Sequence, residues 1–204
     1  MFGKTRDNLN EIVSLHKKEN GGKSYIDAYL EDIAQRVGEE ERSNGEKALI
    51  ASLENFLIGA DGIVMGFYSL LYCLARNGHV QDRMRKEIRQ QLSMGEKEKL
   101  TLPYCWAVIL EVMRYIPQVG FGGQHQAEED IIVDGYYIQT GTDVYPGLIG
   151  ILRGKAYWDE PNNFNPARFL DHDGQCQQPK YWIPFEIGGR ACLGKQSSQR
   201  MTIF

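Results

Sequence analysis

The chain has 204 residues, 23 Lys and Arg against 27 Asp and Glu, a net charge of −4 at pH 7, and 42% hydrophobic residues. That length suits one domain, or one large piece of a bigger one, with enough apolar content to bury a sizeable core. The acidic balance (pI ≈ 5.6) excludes a general basic field of the kind that draws nucleic acid, and the sequence shows neither an uninterrupted run of about 18 apolar residues nor a signal-peptide pattern at Met1.

Residues 6–19 predict a polar amphipathic helix with Leu9, Ile12, Val13 and Leu15 on its modest apolar side, broken by Gly21-Gly22. Tyr25, Ile26, Ala28, Tyr29, Ile33 and Val37 predict a second helix, and the charged, glycine-containing stretch 38–46 predicts a loop. From about residue 47 to 76 the pattern is apolar nearly all round, from Leu49 and Ile50 through Phe56, Leu57 and Ile58 to Leu70, Leu71 and Leu74, which predicts a buried helix. Asn77-Gly78 ends it, 80–92 predicts a charged surface helix, and 104–115 predicts another helix after Pro103. Ile131–Val133 and Tyr136–Ile138, separated by Asp134-Gly135, predict a short hairpin. Residues 142–152 read as strand then helix, and 156–184, dense in Pro, Asn, Gly and Asp, as a long ordered loop. The expected class is mainly α with small β elements, without repeats.

Four cysteines occur, Cys73, Cys105, Cys176 and Cys192, and their spacing fits no zinc module. Cys73 and Cys105 lie in apolar helical patterns and are expected to be reduced core thiols, in a reducing, cytosol-facing setting. Cys192 differs. It sits in the run Phe185-Glu186-Ile187-Gly188-Gly189-Arg190-Ala191-Cys192-Leu193-Gly194, and the residues after it predict a helix start. Unpaired N–H groups and the dipole at such a start stabilise a thiolate. Gly188 and Gly189 permit a tight turn, and Gly194 removes a side chain where a flat ligand could lie against the backbone. Arg190 offers a fork of donors suited to carboxylates, of which haem carries two. Thiolate, arginine and glycines together point to haem more than to zinc; a structural cysteine in a Gly-rich turn is the plain alternative.

The run resembles the haem-binding signature of the cytochromes P450, with Phe185, Gly188, Arg190, Cys192 and Gly194 in its fixed places. The resemblance reaches from about Tyr25 to Phe204 and implies the C-terminal part of the cytochrome P450 fold: a long central helix, a Glu-x-x-Arg helix, a short hairpin, a meander and a Cys-ligand loop. Glu111 and Arg114 share a helix face among apolar neighbours and match the family's Glu-x-x-Arg motif. Arg168, in Phe164-Asn165-Pro166-Ala167-Arg168-Phe169, matches the arginine that joins them in a structural network. His125, ahead of the hairpin, matches a position that reaches a haem propionate in similar microsomal sequences; a solvated loop histidine is the alternative. Gly135-Tyr136-Tyr137-Ile138, Gly141-Thr142 and Phe169-Leu170-Asp171 resemble the drug- and fatty-acid-oxidising microsomal branch. In the long helix, Ile58-Gly59-Ala60-Asp61-Gly62-Ile63 aligns with Ala/Gly-Gly-x-Asp/Glu-Thr, keeping Gly59 and Asp61 but placing Gly62 where the family has a hydroxyl. An acid in a buried helix is costly without a partner or a job, which makes Asp61 a candidate proton relay, while Gly62 predicts weakened or uncoupled oxygen activation.

The resemblance implies a haem-thiolate monooxygenase that inserts one oxygen atom from O2 into a small apolar substrate, as the C-terminal part of a longer enzyme. Cys192 would be the axial ligand of haem b, Arg190 and His125 would hold its propionates, and an NADPH-dependent reductase would supply electrons, since Gly188-Gly189 lacks the strand and helix context of a dinucleotide site. The resemblance places the enzyme on the cytosolic face of the endoplasmic reticulum membrane, with membrane association expected of the full-length parent. Residues 1–204 read as a single partial domain truncated at both ends, expected to be inactive alone. Two alternatives remain: a haem-thiolate enzyme that does not activate O2 (peroxide-driven, isomerase or dehydratase type), and a non-catalytic remnant.

Overall fold

The computed structural model describes residues 2–19, 24–36, 39–93 and 102–196. In chain order they form α1 (Phe2–Glu19), α2 (Tyr25–Arg36), α3 (Glu39–Arg76), α4 (Gly78–Ser93), α5 (Pro103–Tyr115), β1 (His125–Gln126), β2 (Ile131–Val133), β3 (Tyr136–Ile138), β4 (Asp143–Val144) and α6 (Leu148–Leu152). Contacts divide the chain into two compact units, Met1–Gly62 and Ile63–Phe204, with the boundary inside α3. The expected class, mainly α with small β elements, is the one observed.

In the first unit, Leu9 and Val13 of α1, Ile26 of α2, and Leu49 and Ile50 of α3 form one buried cluster, with Tyr29, Leu30 and Leu53 packed against it. Ser24 and Asp27 cap α2 reciprocally: Ser24 N–H donates to Asp27 Oδ2 (3.0 Å) and Asp27 N–H donates to Ser24 Oγ (3.2 Å). The expected loop at 38–46 is instead the first part of α3 from Glu39 onward. Its Glu and Arg residues are strong helix formers. Gly45 does not break the helix; a Cβ there would stand 2.7 Å from Ile33 Cδ1, so the glycine makes room for α2.

Complete burial of α3 is not observed either. Phe56, Leu57, Ile58, Val64, Met65, Phe67, Tyr68, Leu71 and Tyr72 are exposed. Apolar periodicity reports what a helix offers for burial, whereas cover must come from other elements; here these lie against Leu49 and Ile50 near one end and Leu70, Cys73 and Leu74 near the other. By length and composition, Asn44–Arg76 is also apolar enough to cross a bilayer, a test that core helices pass as well.

In the second unit, Asn77 breaks the chain between α3 and α4, its side-chain amide donating to Cys73 O (2.7 Å). α5 opens with Pro103 at its first turn, and the Glu87 carboxylate on α4 accepts from Tyr104 N–H and Cys105 N–H (2.8 Å each), satisfying donors a helix start leaves open. One side of α5 (Tyr104, Val108, Val112) packs with Cys73 and Val80, the other (Ala107, Leu110) with Trp158, Phe169 and Trp182. The hairpin forms in the expected register, Ile131 opposite Ile138 and Val133 opposite Tyr136, with Asp134 (φ 51) and Gly135 (φ 84) both left-handed as a primed two-residue turn requires. β1 pairs antiparallel with β4, placing His125 opposite Val144. The expected strand-then-helix at 142–152 appears as β4 and α6. From the end of α6 to residue 194 the chain runs in turns, with 3-10 turns at Pro166–Phe169 and Gly188–Arg190.

Candidate functional site

The side chains with most chemistry gather around α5. Glu111 and Arg114 are both fully buried, on adjacent turns of one face. Arg114 donates from Nε to Glu111 Oε2 (2.7 Å) and from Nη2 to Oε1 (3.0 Å), a bidentate pair. The same carboxylate accepts from Asn165 N–H (2.7 Å) and Arg168 Nε (3.3 Å). Two guanidiniums on one carboxylate leave an uncompensated positive charge, which main-chain dipoles absorb. Arg114 donates to Leu152 O (3.0 Å) and Pro161 O (2.9 Å), Arg168 to Asp159 O (2.9 Å) and Asn163 O (3.2 Å). Trp158 lies under both, with centroid distances of 5.2 and 5.8 Å. The sequence-predicted trio is therefore brought together. The carbonyls and Trp158 were missed by sequence reasoning, because a backbone acceptor carries no residue-type signature.

This network fixes the start of the meander, and Trp182 carries the order onward. Its indole Nε1–H donates to Leu110 O on α5 (2.9 Å), and its ring meets Phe185 edge-on at 6.1 Å. Phe185 is thus the packed end of the Cys192 run. From it the loop turns through Gly188 (φ 78), and Cys192 N–H returns to Phe185 O (2.9 Å). The Cys192 thiol is exposed, as are Arg190 and Leu193. Arg190 makes no hydrogen bond or ion pair among the described residues. A Cβ on Gly194 would stand 3.8 Å from Cys192 Sγ, so the glycine keeps the approach to the sulfur open. Of the helix expected after Cys192, residues 195 and 196 are helical and the rest lies outside the described residues. An exposed thiol, an unpaired guanidinium and an open glycine suit a large flat ligand bearing carboxylates.

His125, half-exposed on β1, is brought to this loop by a residue that sequence reasoning passed over: Glu186, whose Oε2 lies 3.8 Å from His125 Nε2. The available signal was an acid inside an otherwise glycine-rich run. Asp61 belongs to the first unit and is exposed on α3, without a hydrogen bond or ion pair among the described residues. Asp61 is therefore not the buried acid that the apolar helix pattern predicted. The other thiols are inert by comparison: burial pushes Cys73 up to about 11, and burial with the neighbouring Glu87 carboxylate pushes Cys105 up to about 12.

The family model described as Cytochrome P450 matches residues 3–202. The chain is 32% identical over 210 residues to cytochrome P450 2U1 of Homo sapiens, covering 96% of this chain and 38% of the relative. It is 33% identical over 177 residues to cytochrome P450 2S1 of Mus musculus (83% and 35%) and 32% identical over 205 residues to cytochrome P450 2B2 of Rattus norvegicus (93% and 40%). The chain thus spans about two-fifths of the length of these relatives.

Proposed function

This chain belongs to the cytochrome P450 family, and we propose that it forms the haem-thiolate part of a monooxygenase acting on a small apolar substrate with O2. The observation that carries the proposal is the Cys192 thiol, exposed in a turn closed by its own N–H on Phe185 O. Haem b held there would supply oxygen-activating chemistry, its thiolate ligand pushing electron density toward iron. The chain's own residues have distinct tasks. Cys192 supplies the ligand, and Gly188 and Gly194 keep the backbone tight and the sulfur accessible. Phe185 ties the loop to the core through Trp182. Arg190 and His125 hold the propionates, and Glu111, Arg114 and Arg168 keep the meander that carries the loop in place. Asp61 is the chain's candidate proton-relay residue. The electron donor is an NADPH-dependent reductase, and the parent enzyme works on the cytosolic face of the endoplasmic reticulum membrane.

A second reading rests on Gly62: without a hydroxyl beside Asp61, proton delivery is impaired, which favours a haem-thiolate reaction without O2 activation. The decisive experiment reduces the haem-loaded protein under carbon monoxide. The absorbance band of a thiolate-ligated ferrous carbonyl is expected, and Cys192→Ala is expected to abolish it. A band that survives Cys192→Ala sinks the proposal. Turnover driven by peroxide but not by reductase selects the second reading.

A further inference from the structure

Glu186 lies in the Cys192 loop at a position the family signature leaves open, and its backbone is unusual. Its φ of 59 is left-handed, where a residue with a Cβ is strained and glycine is at ease. Strain of this kind persists only where the surroundings over-determine it. Here the determinants are on the side chain. Oε1 accepts from Gly123 N–H, and Oε2 lies 3.8 Å from His125 Nε2, with the Glu186 side chain only 17% exposed. The facing segment leaves room for this carboxylate at Gly123, where a Cβ would stand 3.3 Å from Oε1; at Gly122 (φ 80) a Cβ would meet Pro146 Cγ at 2.3 Å before Oε1 at 2.9 Å, so that glycine answers first to Pro146 and its own backbone. The Gly123 N–H, the space its missing side chain leaves and the His125 imidazole thus form a cradle that Glu186 fills from a loop 63 residues away.

We propose that Glu186 is a positioning residue, whose carboxylate docks the Cys192 loop on Gly123 and orients the His125 ring. Its relevance to haem rests on the reading of Cys192 above, but the docking itself does not. Glu186→Gly separates the two roles, because it removes the carboxylate while relieving the backbone. Alkylation of Cys192 by iodoacetamide in the haem-free chain, read at that residue by mass spectrometry, is expected to accelerate several-fold in Glu186→Gly. A purely conformational role predicts the opposite, since glycine suits this φ; an unchanged or slower rate overturns the proposal. Glu186→Gln keeps an acceptor for Gly123 and drops the charge. It is expected to shift the His125 ring-proton resonances, and unshifted resonances also overturn the proposal, even if the glycine variant fails to fold. With haem bound, Glu186→Gly is expected to raise the share of thiol-ligated over thiolate-ligated ferrous carbonyl. If no variant, nor the parent chain, gives a thiolate band while alkylation still responds, the haem reading fails and the docking stands.

Discussion

At the scale of single residues, Glu111 is the charge on which the second unit depends. Its two oxygens receive four donors from three residues on two stretches of chain: two from Arg114, one from Asn165 and one from Arg168. Removing one partner of a buried ion pair leaves the other charge uncompensated, which costs about 3–5 kcal/mol. Glu111→Ala strands two guanidiniums at once, so the unfolding free energy read from urea titration is expected to fall by at least that range, or the variant to be unfolded; a loss under about 1 kcal/mol would contradict the buried network. The sequence made Glu111, Arg114 and Arg168 legible because their spacing and residue types are specific. It did not reveal Leu152 O, Pro161 O and Asn163 O, or the Glu186 contact to His125, because those depend on where the chain passes. Asp61 shows the converse. The apolar pattern around it suggested a buried acid, and its surroundings among the described residues do not bury it.

At the scale of elements, the hairpin owes much to a residue outside its strands. Asp130 accepts from Tyr137 OH (2.6 Å), Thr140 N–H (2.8 Å) and Thr140 Oγ1–H (2.7 Å). These donors, the Tyr137 hydroxyl foremost, favour the ionised form and pull the Asp130 carboxyl down to about 2, from an ordinary 3.8. A carboxyl lowered on folding contributes stability above its unfolded value and loses it as pH falls through the folded one. Amide protection in the hairpin is therefore expected to weaken as pH drops from 3.8 toward about 2, and Asp130→Asn to flatten that dependence; an identical acid profile in the variant would refute the assignment. The strands themselves were readable from Asp134-Gly135 between apolar pairs. The extent of α3 was not, because charge at 39–46 looks loop-like while its Glu and Arg residues favour helix.

At the scale of the whole molecule, the chain supplies about two-fifths of the length of its relatives, and large apolar side chains remain uncovered. Phe56, Ile58, Phe67, Tyr68 and Leu71 on α3 are between 44 and 66% exposed, and Ile132 and Tyr136 on the hairpin more so. Exposed apolar side chains in this number favour association. The 204-residue chain is expected to bind a hydrophobic dye and to self-associate with rising concentration in sedimentation runs, and Phe67→Glu with Leu71→Glu to reduce both; a dye-silent monomer would contradict this. The sequence by itself determined most of the elements and the family resemblance of the Cys192 run, because periodicity, turn dipeptides and a glycine-spaced cysteine are local properties of neighbouring residues. Only the tertiary structure decided which apolar faces find cover, which carbonyls neutralise Arg114 and Arg168, and that Glu186 ties the cysteine loop to His125. Each of those depends on segments far apart in the chain meeting in space, which local pattern does not encode.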